Sequence, residues 1–338
     1  MPAYDAFLLV SFGGPEGPDD VMPFLENVTR GRGVPPERLA SVAEHYYAVG
    51  GVSPINQQCR DLLAAIRADF AARGLSLPVY WGNRNWTPYL TDTVQTMAAD
   101  GVRRAVALVT SAYSSYSSCR QYLDDIERAR AAAGPDAPRI DKIRPFHNHP
   151  GFIGPFAAST RAALATLPAD LRDDAHLVFT AHSIPAAMAQ ASGPGGTNSY
   201  TAELTEASGL IAEQIGAGTH AWTLVYQSRS GPPSQPWLEP DVGDHLGELA
   251  KSGVQAVVVI PVGFVSDHME VRHDLDVEAA ETAGSLGLAF ARAATPGSHP
   301  AFVSMITDLV RERLALPEMP SHDCPANCCR YVGGASQA

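Results

Sequence analysis

Basic residues are scarce: 24 Lys and Arg stand against 36 Asp and Glu in 338 residues, a formal net charge of -12. A surface of that sign repels phosphate backbones, which argues against a nucleic-acid partner and suits a cation. No apolar run reaches the ~18 residues that a transmembrane helix takes. The opening stretch, MPAYDAFLLVSFGGPEGP, carries acid where a secretory leader carries base. The expectation is a soluble cytoplasmic protein without a transmembrane segment. Cysteine is sparse and odd in number, with Cys59, Cys119, Cys324, Cys328 and Cys329. Three of them crowd SHDCPANCCRY near the end, which is no secreted disulfide framework and points to metal or cluster binding. Neither G-x-G-x-x-G nor G-x-x-x-x-G-K-[ST] occurs, GGPEGP being a poor substitute, so nucleotide binding has little support. There is no short-period repeat or heptad array.

What is present is a regular alternation. At 338 residues the chain exceeds what one core usually serves, so two domains of about 150 residues each are expected. Eight apolar, β-branched runs recur with room for a helix between them: AFLLVSF, PVYWGNR, AVALVTSAY, IDKIRPF, HLVFTAHS, AWTLVYQS, AVVVIPVGF and LAFARAA. Continuous apolar character, rather than alternation, implies parallel strands covered on both faces. Helical patterns span 56–73, 90–100, 120–133, 152–167, 200–215 and 299–316. The fold class is therefore α/β, with two similar Rossmann-like domains, each a four-stranded parallel sheet flanked by helices. The boundary falls at FHNHPGFIGP, giving domains 1–150 and 151–316 and a cysteine-containing tail, 317–338. In such sheets ligands gather beyond the carboxyl ends of the strands.

Those strand ends are chemically rich. PVGFVSDHMEVRHDLDVEAAE packs Asp267, His268, Glu270, His273, Asp274, Asp276 and Glu278 just after a buried strand. Glu270, Asp274 and Glu278 recur every four residues, which on an α-helix stacks carboxylates along one face with about 40° of drift per step. Such a ladder can pass a divalent cation inward, although acids also favour helix starts and solvated faces. His182 ends the strand HLVFTAH, where an imidazole can take a proton or bind a metal, or simply bond to backbone. The adjacent AHSIP lacks the G-x-S-x-G elbow of a serine hydrolase. TRGRGVPPERL sets Arg30 and Arg32 among glycines, a loop able to clasp carboxylates. The tail thiols are one short of a four-cysteine site, which Cys119 or Cys59 can complete; no C-x-x-C pair supports a zinc knuckle.

Five ordered blocks, LLVSFGGPEGPDDV, VGGVSPIN, VFTAHSIP, YQSRSGPPSQPWLEPDV and PVGFVSDHMEVRHDLDVEA, together resemble the ferrochelatase family, which inserts ferrous iron into porphyrins. The resemblance implies the chelatase fold of two four-stranded domains. It also implies His182 as the metal-site histidine and Glu270 as its carboxylate partner, with Asp274 and Glu278 as an outer cation site. Arg30, Tyr46, Ser53 and Tyr122 match porphyrin-carboxylate contacts, while Phe12, Tyr113 and Trp237 can lie against the ring. Two departures stand out: Phe12 occupies a position where Gram-positive-type relatives often carry tyrosine, and His45 one where several carry arginine.

With its TRGRGVP loop the sequence looks like the actinobacterial branch, which implies coproporphyrin III as substrate, Fe-coproporphyrin as product in heme biosynthesis, and transient contact with neighbouring heme-pathway enzymes. That branch often carries a two-iron two-sulfur cluster, which makes Cys324, Cys328 and Cys329 ligands with Cys119 as the fourth. Rival readings are a protoporphyrin IX ferrochelatase, a cobalt or nickel chelatase, and a non-catalytic tetrapyrrole or iron-sulfur carrier.

Overall fold

The structure, a computed structural model, describes residues 4–31, 33–216, 218–231, 234–316, 325 and 327–332. Each apolar run becomes a strand; the inner strands of both sheets are covered on both faces and the edge strands only in part. In the first half the chain runs β1 (Ala6–Ser11), α1 (Pro18–Val28), α2 (Pro36–Tyr47), α3 (Ile55–Ala72), β2 (Val79–Asn83), α4 (Leu90–Ala99) and β3 (Arg104–Val109). A π-helical turn, Tyr116–Arg120, then leads into α5 (Gln121–Ala133) and β4 (Arg139–Lys142). The second half begins with α6 (Pro150–Thr166), β5 (His176–His182), α7 (Ala186–Gln190), α8 (Ser199–Gly216), β6 (Trp222–Gln227), α9 (Val242–Lys251) and β7 (Ala256–Ile260). A helix follows that is α-helical as α10 (Met269–Val271), π-helical over Arg272–Ala279 and α-helical again as α11 (Ala280–Ser285). β8 (Ala289–Arg292) and α12 (Pro300–Ala315) complete it.

Both sheets are four-stranded and parallel, ordered β2-β1-β3-β4 and β6-β5-β7-β8. The two halves repeat one another in detail. Each sheet puts its first strand in the centre, each is followed by a π-helical stretch after the third strand, and each ends in a His-Pro turn. In those turns His149 and His299 cap α6 and α12, their Nδ1 atoms accepting from the amides of Gly151 and Ala301. Pro150 and Pro300 occupy first-turn positions, where a missing N–H costs nothing.

The crossover helices tie the halves together. α6 packs on β7, β8 and α8, while α12, although it follows the second sheet in the chain, lies against α3 and β3 of the first. One continuous core therefore runs through both halves, with Phe7, Phe146, Phe152, Phe179 and Phe302 among its members. Polar contacts reinforce the exchange: Arg73, just after α3, donates to the Ser304 carbonyl at 3.1 Å and pairs with Asp308 of α12. A shared core of this kind fixes the loops at the strand ends of the two sheets relative to one another. Among the described residues no helix is long and apolar enough to cross a membrane.

Candidate active site

His182 is the last residue of β5, opposite Gln227 of β6. Its Nδ1–H donates to the Ser183 carbonyl. A carbonyl can only accept, so that bond assigns the proton to Nδ1 and leaves a lone pair on Nε2. Nε2 lies 3.5 Å from Glu270 Oε2, with 34% of the imidazole side chain and 53% of the carboxylate side chain exposed. Glu270 sits in the first turn of α10, beyond His268, whose Nδ1 accepts from the Val271 amide at 3.4 Å. A base and a carboxylate thus meet, each reachable from solvent.

The ladder differs from the α-helical expectation. From Arg272 the helix is π-helical, bonded i to i+5, so residues five apart come to one face. His273 and Glu278 are such a pair: His273 Nδ1 lies 3.7 Å from Glu278 Oε1 and 3.7 Å from Asp274 Oδ1. The ligand atoms of His273, Asp274 and Glu278 all fall within 4.8 Å of one another. His273 has no role on an α-helical reading because a five-residue spacing points it away from Glu278; a π-helical stretch restores it.

Asp274 is the inner member of this group. Its Oδ2 accepts from Gln227 Nε2 at 3.2 Å and from the Ser228 hydroxyl. Burial pushes its carboxyl up to about 6; these hydrogen bonds oppose the rise, and the charges of Glu270 and Glu278 add to it. Ser228 reaches it from a left-handed conformation, φ 61°, unusual for a side-chain-bearing residue. A cavity of about 400 Å³ opens beside the group, lined in part by Gln227, Ser228, Asp241, Asp274, Glu278 and Glu281.

The first half supplies an aromatic wall. Ser11 and Ala181 pair with Asn83 and Tyr226, which bridge in turn to Tyr89 and Asp241, so Phe12 is the structural counterpart of His182. Phe12 meets Phe24 edge-on at 6.4 Å, and Phe24 touches Tyr46 and Trp86 at 6.0 and 6.1 Å. Burial, and secondly the charge of Glu270, push the Tyr46 phenol well above its ordinary value, so it stays protonated beside the second half. His45 stacks on His273. Arg30 is exposed and pairs with no acid among the described residues, whereas Arg32 lies outside them.

Other expected contacts are less open. Ser53 is buried against Gly14, where an added Cβ would come within 2.8 Å of Ser53 Oγ. Tyr122 is 5% exposed, its hydroxyl engaged with Thr110 and Arg84. Arg84 went unremarked in the sequence: its guanidinium lies 4.6 Å from the Tyr122 ring and 5.8 Å from the Phe12 ring and pairs with Asp125. Its place at a strand end was the available signal. Tyr113 corrects the expectation of a ring-facing residue: it is 2% exposed, and its hydroxyl donates to the Val262 carbonyl at 2.7 Å across the domain junction. Trp237 bridges to Pro185 beside the β5 end and covers Gly231, where any Cβ would meet the indole at 2.3 Å.

Among the cysteines, Cys328 and Cys329 are buried with their sulfurs 3.6 Å apart. Cys119 is buried in the first π-helical turn. The Tyr331 ring lies 4.9 Å from that of Tyr116, which sets the tail against the turn that carries Cys119. Cys59 faces Ser11 from α3, its thiol pushed up to about 11 by burial. Cys324 lies outside the described residues.

The ferrochelatase family model matches residues 4–314. A coproporphyrin III ferrochelatase of Streptomyces griseus is 54% identical, covering 96% of this chain and 93% of that one. One of Mycolicibacterium smegmatis is 57% identical, covering 92% and 90%. Among solved structures, SirB from Bacillus subtilis with Fe3+ has a TM-score of 0.57 at 13% identity, covering 92% of this chain and 95% of that one, a likeness of fold alone. With the five sequence blocks, the doubled four-stranded fold and a histidine facing a carboxylate at adjacent strand ends, the chain belongs to the ferrochelatase family.

Proposed function

We propose that the protein inserts Fe2+ into coproporphyrin III, releasing two pyrrole protons and giving Fe-coproporphyrin for heme biosynthesis. The observation that carries this reading is the His182–Glu270 pair. The bare Nε2 of His182 can accept a pyrrole proton or ligate the ion, and Glu270 attracts the cation and takes over from its waters. Asp274, His273 and Glu278 form a second group of donors farther out, fit to hold a divalent cation. Arg30, Tyr46, Ser53 and Tyr122 are the residues we assign to the substrate carboxylates, with Phe12 against the ring; Ser53 and Tyr122 are buried, which leaves Arg30 and Tyr46 as the more accessible anchors. Arg30 offers an exposed guanidinium that no acid engages among the described residues. Preference for coproporphyrin over protoporphyrin IX rests on the relatives named for it and on the greater number of carboxylates to anchor. The test is anaerobic insertion of Fe2+ into both porphyrins at matched concentrations, followed by absorbance. Coproporphyrin should turn over faster, and equal or reversed rates would refute the assignment.

We propose further that Cys119, Cys324, Cys328 and Cys329 hold a two-iron two-sulfur cluster. The support is the paired, buried sulfurs of Cys328 and Cys329 and a tail lying against the turn of Cys119. Cys59 suits the role less, because burial keeps its thiol protonated. Such a cluster would supply one-electron redox chemistry. Visible absorption and iron and sulfide analysis of anaerobically purified protein, beside Cys324→Ser, tests it; colourless, iron-free wild type rejects it. Free buried thiols fit a reducing cytoplasm, and handing on the product implies transient contact with the enzyme that consumes it.

A further inference from the structure

We infer that Tyr200 is a positioning residue for His182 and links its imidazole to the seat of Cys329; the inference rests on the function proposed above. Tyr200 lies in the first turn of α8 and is 3% exposed. Its hydroxyl donates to the main-chain carbonyl of His182 at 2.9 Å. Its amide donates to the Ser192 hydroxyl, also at 2.9 Å. Ser192 is fully buried and precedes Gly193, whose amide donates to the sulfur of Cys329 at 3.2 Å. One short segment, 192–200, therefore has a tail cysteine at one end and the metal-site histidine at the other.

The segment is held tightly rather than loosely. Gly193 has φ +80°, and a Cβ there would fall 1.8 Å from Ser199 Oγ, so another residue would force the loop apart. Asn198 turns the chain with φ 55° into α8. At the other end, the Tyr200 contact acts on one peptide plane. Its carbonyl side, from His182, accepts from Tyr200, while its amide side, from Ser183, donates to the Gln227 carbonyl at 2.8 Å. That plane orients the next carbonyl, of Ser183, which receives His182 Nδ1–H. Loss of the phenol removes the partner of a part-buried carbonyl and releases one side of the plane. The proton position on the ring, and with it the lone pair facing Glu270, then loses its fixed frame.

The test uses full-length protein with 15N-labelled histidine, the His182 signals being identified by their loss in His182→Gln. Tyr200→Phe and Cys329→Ser should each move the His182 nitrogen shifts across pH in the same direction, and the double variant should move them no further than Tyr200→Phe alone. In Tyr200→Phe the KM for Fe2+ should rise about 3–10-fold, the effect of one lost hydrogen bond, with coproporphyrin Kd from fluorescence quenching unchanged. His182 signals at wild-type positions in either variant, or shifts that add in the double variant, overturn the inference. Should Tyr200→Phe fail to fold, Ser192→Ala, which removes the oxygen holding the Tyr200 amide, is read in the same way. The nitrogen shifts need no turnover, so wild-type protein that inserts no iron while these shifts appear sinks the proposed function and leaves the link standing.

Discussion

His45 and His273 stack ring on ring, their centroids 3.8 Å apart and their planes 6° from parallel, although they come from opposite halves of the chain. The contact joins α2 to the π-helical stretch, beside Tyr46 on one side and Asp274 on the other. Stacking of this kind is favourable between neutral imidazoles and opposed when both carry charge.

Burial, and secondly the charge of His273, hold His45 below the ordinary histidine value. A histidine whose folded value is depressed lends stability that is fully present above about pH 6.5 and is lost as pH falls through the folded value. Melting temperature should therefore fall from pH 8 to pH 5 more steeply in wild type than in His45→Phe, which keeps an aromatic ring without the titration. A difference of about 2 °C is expected across the range. Parallel curves would show that His45 contributes no pH dependence.

The pair at the strand ends is the more consequential contact. His182→Ala removes the Nε2 that lies 3.5 Å from Glu270, and Glu270→Gln removes the negative charge while keeping the shape. Each should reduce iron insertion by about 10²–10⁴-fold, the range for a positioned acid or base. Porphyrin Kd should stay within about threefold, because the residues proposed above for the substrate carboxylates, Arg30, Tyr46, Ser53 and Tyr122, all lie in the first half of the chain. Insertion at the wild-type rate in either variant would remove the mechanism.

Much of this was legible in the sequence, for definite reasons. Uninterrupted apolar runs have one stable solution here, a parallel strand covered on both faces, and all eight strands lie where the runs lie. Strand ends then put His182 and Glu270 in the same region without any knowledge of packing. α1, α2 and α9 were less visible: α1 and α2 begin at prolines, Pro18 and Pro36, and α1 contains Pro23, so they read as loop although proline is welcome in a first turn. The π-helical stretch was invisible, because 3.6-residue periodicity is the only helical signal that a pattern of acids carries. The sandwich of Arg84 between Phe12 and Tyr122 was hidden for another reason: it is made by three separate segments.

That sandwich makes a stability prediction. The Arg84 side chain is 8% exposed and its partner Asp125 is 13% exposed. Removing the cation by Arg84→Leu leaves the mostly buried Asp125 carboxylate with only the exposed Arg128 as counter-ion, which should cost about 2–3 kcal/mol in urea unfolding. Replacing both, Arg84→Leu with Asp125→Leu, should recover most of the loss, because the pair's own desolvation disappears with it. A double variant as unstable as the single one would show that the ring contacts, rather than the ion pair, hold this corner.

Asp274 offers the sharpest pH test. Its carboxyl is raised from 3.8 to about 6, chiefly by burial, and its side chain is 17% exposed. For an acid raised in the folded state the sign is opposite to that of a salt-bridged one: the folded protein binds the proton more tightly than the unfolded chain. Ionising Asp274 therefore costs stability that is fully felt above about pH 6 and vanishes below about pH 3.8. Asp274→Asn, which can still accept from Gln227 and Ser228, should be more stable than wild type at pH 7.5 by about 2 kcal/mol after allowance for partial solvent screening. The advantage should shrink steadily as pH falls to 4. Added Mn2+ should reverse it: with His273 and Glu278 alongside, an ionised Asp274 makes a cation site, so Mn2+ should raise the wild-type melting temperature at pH 7.5 and leave that of Asp274→Asn almost unchanged. Identical melting curves for the two proteins at every pH would mean that the carboxylate is solvated in the working protein, and that the acid-lined cavity beside it does not hold an ion through Asp274.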